Sequence, residues 1–318
     1  MSKNSTINYG VIGVGYLGSF HVQQLKEIKN VNLVGIFDVD KEKGESVSNT
    51  YGIKLFNNLN ELCKKCDAVS IVTPTNTHFE VANICLDNNC HIFIEKPITN
   101  NLNDAEEIII KAQGLNKVLQ VGHIERFNPV YANINSKDIS PLFIESHRLA
   151  PFNSRGTDVS VVLDLMIHDI DILLSYVNSD IKKIHASGSS IISNEIDLAN
   201  ARIEFISGCV ANLTASRVSE NKMRKFRIFQ SHSYISMDFL SYKIEKYLLK
   251  DEKKKNESYT LLNDQYLKHE EYAVPKYNAL NKELTHFIDC IINNNQPITD
   301  GKSAMQALRL ALDIESMF

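Results

Sequence analysis

The chain has 318 residues, 43% of them hydrophobic, enough for a sizeable core and large for a single domain. A formal net charge of -4 supplies no basic surface, so nucleic acid is not an expected partner. No run approaches the roughly 20 apolar residues that span a bilayer, and the opening MSKNSTINYG carries no apolar signal stretch, so the expected setting is cytoplasmic and away from membranes.

The first predicted strand, residues 9 to 14, leads into Gly13, Gly15 and Gly18 with the spacing G-x-G-x-x-G, followed by a helix predicted over 16 to 29. A pyrophosphate binds backbone N–H groups at such a helix start only where side chains are absent. Gly13 then makes the turn, Gly15 clears the approach and Gly18 lets helix and strand close up, with Tyr16 and Leu17 on the first helical turn. The next strand, VNLVGIFD, ends in Asp38, at the distance where a carboxylate meets an adenosine ribose. Asp38 favours NAD over NADP because it would repel a 2′-phosphate, with Asp40 adding negative charge nearby.

Further apolar strands are predicted at 68 to 73, 91 to 95 and 118 to 122, with helical patterns between them. That rhythm is an α/β doubly wound parallel sheet of Rossmann type over residues 1–122. The Cys63-x-x-Cys66 pair precedes the third strand but has no second pair and no strand-to-helix context, so ordinary partly buried cysteines are expected, with no metal site.

Ligands of such sheets lie beyond the carboxyl ends of the strands, where Thr73, Pro74, Thr75 and His78 are placed to line the cofactor. Thr75 or Thr77 would serve equally as a helix cap there. At the next strand end stand Glu95, Lys96 and Pro97. Pro97 holds Lys96 on restricted, extended backbone, and an amine fixed at the cofactor edge lowers the pKa of a substrate hydroxyl or relays its proton.

Beyond residue 122 the rhythm changes. A long helix is predicted near 160 to 177, and successive strands follow without helices between them. In LANARIEFIS, Ala199, Ala201, Ile203 and Phe205 alternate with Asn200, Arg202 and Glu204; Ile235, Met237 and Phe239 repeat the pattern. Residues 123–318 are therefore expected to be an α+β domain on a largely antiparallel open sheet with one apolar face. In the long helix, Asp164, His168, Asp171 and Ser175 form one narrow polar stripe without Lys, Glu or Gln, which argues for a polar cavity over a solvent face. His168 is the natural proton acceptor there and Asp164 its orienting neighbour; a metal on Asp164, His168 and Asp171 would need a further ligand that the sequence does not offer.

Gly13-x-Gly15-x-x-Gly18, Thr73 to His78, Glu95-Lys96-Pro97 and Asp164-x-x-x-His168, in that order, resemble the Gfo/Idh/MocA oxidoreductases along essentially the whole chain. The resemblance implies direct hydride transfer between a sugar or cyclitol carbon and NAD, with Lys96 and His168 as the catalytic pair, Asp164 beside them, and Glu95 and Lys96 at the cofactor. It also implies a homodimer or homotetramer assembled through the broad sheet. Within the family, residues 121 to 129, VGHIERFNP, look like the branch acting on UDP-N-acetylhexosamines at the 3-hydroxyl. A diphosphate needs cationic donors, and Arg126, Arg148 and Arg155, with Asn128, lie in that region; each arginine is equally able to close an ion pair. Dehydrogenases of free sugars or inositol are the nearest alternative, separated by whether turnover requires UDP. Relatives that bind the dinucleotide without catalysis are another, against which the retention of both Lys96 and His168 argues.

Overall fold

The computed structural model describes residues 6–153, 159–249 and 267–318. Arg155 and the charged run 250–257, expected to be a solvated loop, lie outside the described residues. The chain forms two compact units, Met1–Phe127 with Asn278–Leu308, and Asn128–Tyr277 with Arg309–Phe318.

The first unit alternates β1 (Ile7–Ile12), α1 (Tyr16–Leu25), β2 (Val31–Phe37), α2 (Lys41–Tyr51), α3 (Leu59–Cys63), β3 (Ala68–Ile71), α4 (His78–Asp87), β4 (His91–Glu95), α5 (Leu102–Gly114) and β5 (Leu119–Gly122). Every pairing is parallel, in the order β2-β1-β3-β4-β5. Strands buried on both faces read as continuous apolar runs, which is why this sheet was legible. The strand order reverses between β1 and β3, and that switch opens a crevice at their carboxyl ends.

Cys63 closes α3, and all six cysteines are buried and unbridged. The Cys63 and Cys85 sulfurs lie 3.7 Å apart, and burial pushes the Cys66 thiol above its ordinary value. These are core side chains.

The second unit contains α6 (Pro129–Ala132), β6 (Pro141–Leu149), a π turn over Val162–Met166, α7 (Ile167–Tyr176), β7 (Ile181–Ser189), β8 (Leu198–Phe205), β9 (Val210–Ser216), β10 (Met223–Gln230), β11 (Ser233–Asp238), β12 (Lys243–Leu249) and β13 (Leu267–Ala273). Its eight strands run β13-β12-β11-β10-β6-β9-β8-β7, antiparallel except for β6 against β9. Ala199, Ala201, Ile203 and Phe205 are buried while Asn200 and Arg202 are exposed, as period-two alternation requires.

The opposite face is less polar than its sequence implied. Phe143, Phe229, Tyr234, Tyr247 and His269 are cross-strand partners in turn, with successive ring centroids 5.9, 4.7, 5.6 and 4.3 Å apart. They make one aromatic row across five strands.

Two helices complete the chain, α8 (Ala279–Asn293) and α9 (Gly301–Glu315). The sequence divides once, after residue 122, yet residues 278–308 belong to the first unit. Leu284, Phe287 and Ile288, spaced for one helix face, enter the same core as Tyr9, Val22, Leu25 and Phe93. Phe287 meets Tyr9 and Phe93 edge-on, with centroids 6.2 and 5.9 Å away. Truncating such a ring costs about 3–5 kcal/mol, so α8 is part of what holds the parallel sheet. Amphipathic spacing announces a helix and its apolar face but not which sheet that face will cover. Among the described residues, no helix is long and apolar enough to cross a membrane.

Candidate functional site

The glycine turn is built from three different constraints. Gly13 has φ +82°, and a Cβ there would meet the Val72 carbonyl oxygen at 2.6 Å, across the switch from β1 to β3. A Cβ on Gly18 would overlap the Gly13 carbonyl. Around Gly15 nothing lies within 4 Å of the Cβ position, and Gly15 is the N-cap of α1 without any side-chain cap. Open space over a bare helix N-terminus fits the pyrophosphate of a dinucleotide. Tyr16 and Leu17, on the first turn, are exposed.

Asp38 is fixed against this turn. Its Oδ2 accepts from Val14 N at 2.7 Å and its Oδ1 from Asp40 N at 2.8 Å. Asp40, expected to add negative charge, instead caps α2 and pairs with Lys43 Nζ at 2.8 Å. That hydrogen bond from Lys43 draws the Asp40 carboxyl below its ordinary range.

Thr73 and Pro74 follow β3, and Thr75–Thr77 form a single 3-10 turn before α4. Thr77 is the N-cap residue, but its hydroxyl does not cap α4; it lies 2.8 Å from Thr73 Oγ1 and 2.8 Å from the Pro74 carbonyl. His78, expected to line the cofactor, is 1% exposed, with Nδ1 3.0 Å from the Pro97 carbonyl and Nε2 2.9 Å from the Thr73 carbonyl. It ties the loop after β3 to the loop after β4. Burial lowers its pKa, against the opposing pull of those two carbonyls.

Glu95 ends β4, and the Lys96-Pro97 peptide that follows is cis. Glu95 Oε1 lies 3.0 Å from His21 Nε2, and Oε2 accepts from Lys96 N at 3.3 Å. On β5 the facing residue is Gly122, where a Cβ would meet that carboxylate at 2.9 Å. Burial pushes the Glu95 carboxyl up; the hydrogen bond from His21, with the Lys96 charge and N–H, outweighs it and leaves it below its ordinary value. The first unit thus gathers Gly13, Gly15, Asp38, Thr73 and Lys96 at the carboxyl ends of four adjacent strands.

Arg126 stands in a 3-10 turn of the same unit and donates to the Ile298 carbonyl at 3.3 Å. Asn128 opens the second unit and caps α6, accepting from Val130 N at 3.0 Å. Arg148 is not an available anion donor. It is 3% exposed, and its Nε and Nη2 hold Asp169 at 3.1 and 2.8 Å.

Asp164 lies in the π turn and His168 in the first turn of α7, both half-buried. The expected single long helix is therefore wound differently over 162–166. Of the stripe, Asp171 is buried and Ser175 accepts from Tyr131 OH at 3.1 Å, so this is no solvent face. Sequence reasoning missed His21, Ser70 and Asp169. His21 stands three residues after Gly18, on the helix face that Gly18 brings against the sheet, and that spacing was the available signal.

Residues 7–123 match the family model described as GFO/IDH/MocA oxidoreductase family, NAD-binding Rossmann fold, and residues 123–236 match the GFO/IDH/MocA C-terminal domain. The UDP-N-acetylglucosamine 3-dehydrogenase of Acidithiobacillus ferrooxidans is 35% identical over 96% of this chain and 95% of that protein. A solved structure of that enzyme superposes with a TM-score of 0.90 at 34% identity, covering 98% of this chain and 97% of the other. The scyllo-inositol 2-dehydrogenase (NAD(+)) of Bacillus subtilis is 27% identical over 98% of this chain and 94% of that protein.

Proposed function

Since this chain belongs to the Gfo/Idh/MocA family of NAD-binding oxidoreductases, we propose that it oxidises C3 of UDP-N-acetylglucosamine or a related UDP-sugar. The observation that carries the substrate is the end-to-end likeness to a UDP-N-acetylglucosamine 3-dehydrogenase, in sequence and in fold. The chemistry that a bound NAD would supply is that of a hydride acceptor for the carbinol carbon.

The chain's own residues deal with the proton and with orientation. Lys96, as an ammonium, stabilises the alkoxide that develops at the reacting oxygen. His168, entering neutral, takes the hydroxyl proton, and Asp164 orients the imidazole. Gly13, Gly15, Tyr16, Leu17 and Gly18 form the pyrophosphate cradle, Asp38 takes the ribose hydroxyls, and Thr73, Pro74 and Thr75 border the nicotinamide end. Arg126, Asn128 and Arg155 anchor the UDP diphosphate. Binding energy from that remote group orients the sugar, so removing it lowers turnover as well as affinity.

The setting is cytoplasmic, in keeping with six unbridged cysteines. Assembly is a homodimer or homotetramer through the aromatic row of the eight-stranded sheet.

A panel of UDP-sugars, free sugars and inositols, read by NADH absorbance and product mass with a trap for the 3-ketone, tests the substrate. UDP-N-acetylglucosamine or a near UDP-sugar should support NADH formation, and free N-acetylglucosamine, glucose and inositol should not. Turnover of inositol without turnover of any UDP-sugar would overturn it.

A further inference from the structure

Behind the glycine turn lies a buried chain of side chains whose first three members the hydride-transfer reading does not use. Tyr9 OH is 2.9 Å from Ser70 Oγ, Ser70 Oγ is 3.2 Å from His21 Nδ1, and His21 Nε2 is 3.0 Å from Glu95 Oε1. Tyr9 and Ser70 are wholly buried and His21 is 1% exposed, so none exchanges these partners for water. The chain begins in the core under β1 and ends at the residue before Lys96.

Proton counting gives it a direction. A buried phenol keeps its proton, and burial indeed raises the Tyr9 pKa. Tyr9 then donates to Ser70, Ser70 to His21 Nδ1, and a neutral imidazole protonated at Nε2 donates to Glu95. Every group is satisfied once, and the series ends on a carboxylate that also accepts the Lys96 N–H. The reverse direction needs a protonated Glu95 beside the charge of Lys96. Gly122 leaves room for that carboxylate where any side chain would strike it.

We propose that His21 is a positioning residue for the Lys96 turn, acting through the Glu95 carboxylate. The inference rests on Lys96 as the group that meets the substrate oxygen. His21 fixes one Glu95 oxygen, the other fixes the Lys96 backbone, and the lysine leaves the sheet from a defined place. Displacement of a reacting group by about 1 Å costs on the order of 10²-fold in rate.

The test begins without substrate or cofactor. Nitrogen-15 spectra of the imidazoles in the free protein should show His21 as the Nε2–H tautomer; the Nδ1–H tautomer overturns the proposal. In kinetics, His21→Leu should lower kcat by about 10–100-fold, with the NADH dissociation constant within about threefold of wild type. His21→Gln, whose amide reaches Glu95, should recover most of that loss. In a Glu95→Gln background, His21→Leu should cost less than about threefold, because the two act as one unit.

The acid limb of the kcat profile should move to higher pH in His21→Leu. Glu95 loses its donor from α1, leaving Lys96 beside it and His78 from α4 as the charged or titratable groups coupled to it among the described residues. A His21→Leu variant within twofold of wild type in kcat overturns the proposal, as do Leu and Gln variants equally slow with an unmoved acid limb. Should His21→Leu not fold, the tautomer and the Gln variant decide. Wild-type protein inactive on every sugar would strike the activity reading, whereas an active wild type with the wrong tautomer strikes His21 alone.

Discussion

Gly15 and Gly18 differ by three positions and by everything a side chain would meet. Space is open at Gly15, whose backbone is not in the left-handed region, and aspartate is as good a helix N-cap as glycine. Gly15→Asp should therefore melt within about 2 °C of wild type, while a carboxylate over the cradle weakens NADH binding at least about tenfold by titration. Gly18→Asp should fail to fold, because its Cβ has no place beside Gly13. Equal stability of the two variants would remove the distinction.

For the reacting pair, Lys96→Ala and His168→Ala should each lower turnover by about 10² or more with NADH affinity nearly intact. Near-normal turnover in either would make that residue structural. Steady-state kinetics with both cofactors should favour NAD, since Asp38 is held in place by Val14 and Asp40 N–H groups; a preference for NADP would sink its assignment to the ribose. The glycines were legible because their spacing is a direct imprint of steric need. The link that His78 makes between two carbonyls, and which of its two alternatives Arg148 takes, were not legible, because a histidine or arginine looks the same in sequence whether it faces a ligand, two carbonyls or a buried aspartate.

The parallel sheet of the first unit was legible from its apolar runs, and the antiparallel sheet from alternation in β8 and β11. Two helices were not. The π turn before α7 alters residues per turn without altering composition, and α8 carries no mark of the distant core it joins. Within the first unit, β4 begins at His91, whose Nδ1 accepts from Val118 N at 2.9 Å. Burial, with the neighbouring Lys117 charge, lowers its pKa to about 4. Because the folded value lies below the unfolded one near 6.5, the neutral ring's stabilisation is complete above that pH and is lost as pH falls towards 4. Urea unfolding should show that loss in wild type and a flatter dependence in His91→Gln. Equal slopes would mean that His91 titrates alike in both states.

At the scale of the whole molecule, the aromatic row ties five strands into one broad surface, and apolar rings set side by side are what a symmetric interface buries. Light scattering after size exclusion should give a dimer or tetramer. Tyr234→Glu and Phe229→Glu should shift it towards monomer with secondary structure retained; a wild-type monomer at micromolar concentration would overturn the assembly proposal.

The return of residues 278–308 to the first unit bears on how the protein is made. Domains generally fold as units while the ribosome is still adding residues. Here the parallel sheet lacks Leu284, Phe287 and Ile288 until the intervening second unit has emerged. The nucleotide-binding unit is thus completed only after residues 128–277 of the second unit have been made, and translation arrested before α8 should leave nascent chains open to protease across residues 7–122 and unable to retain NADH.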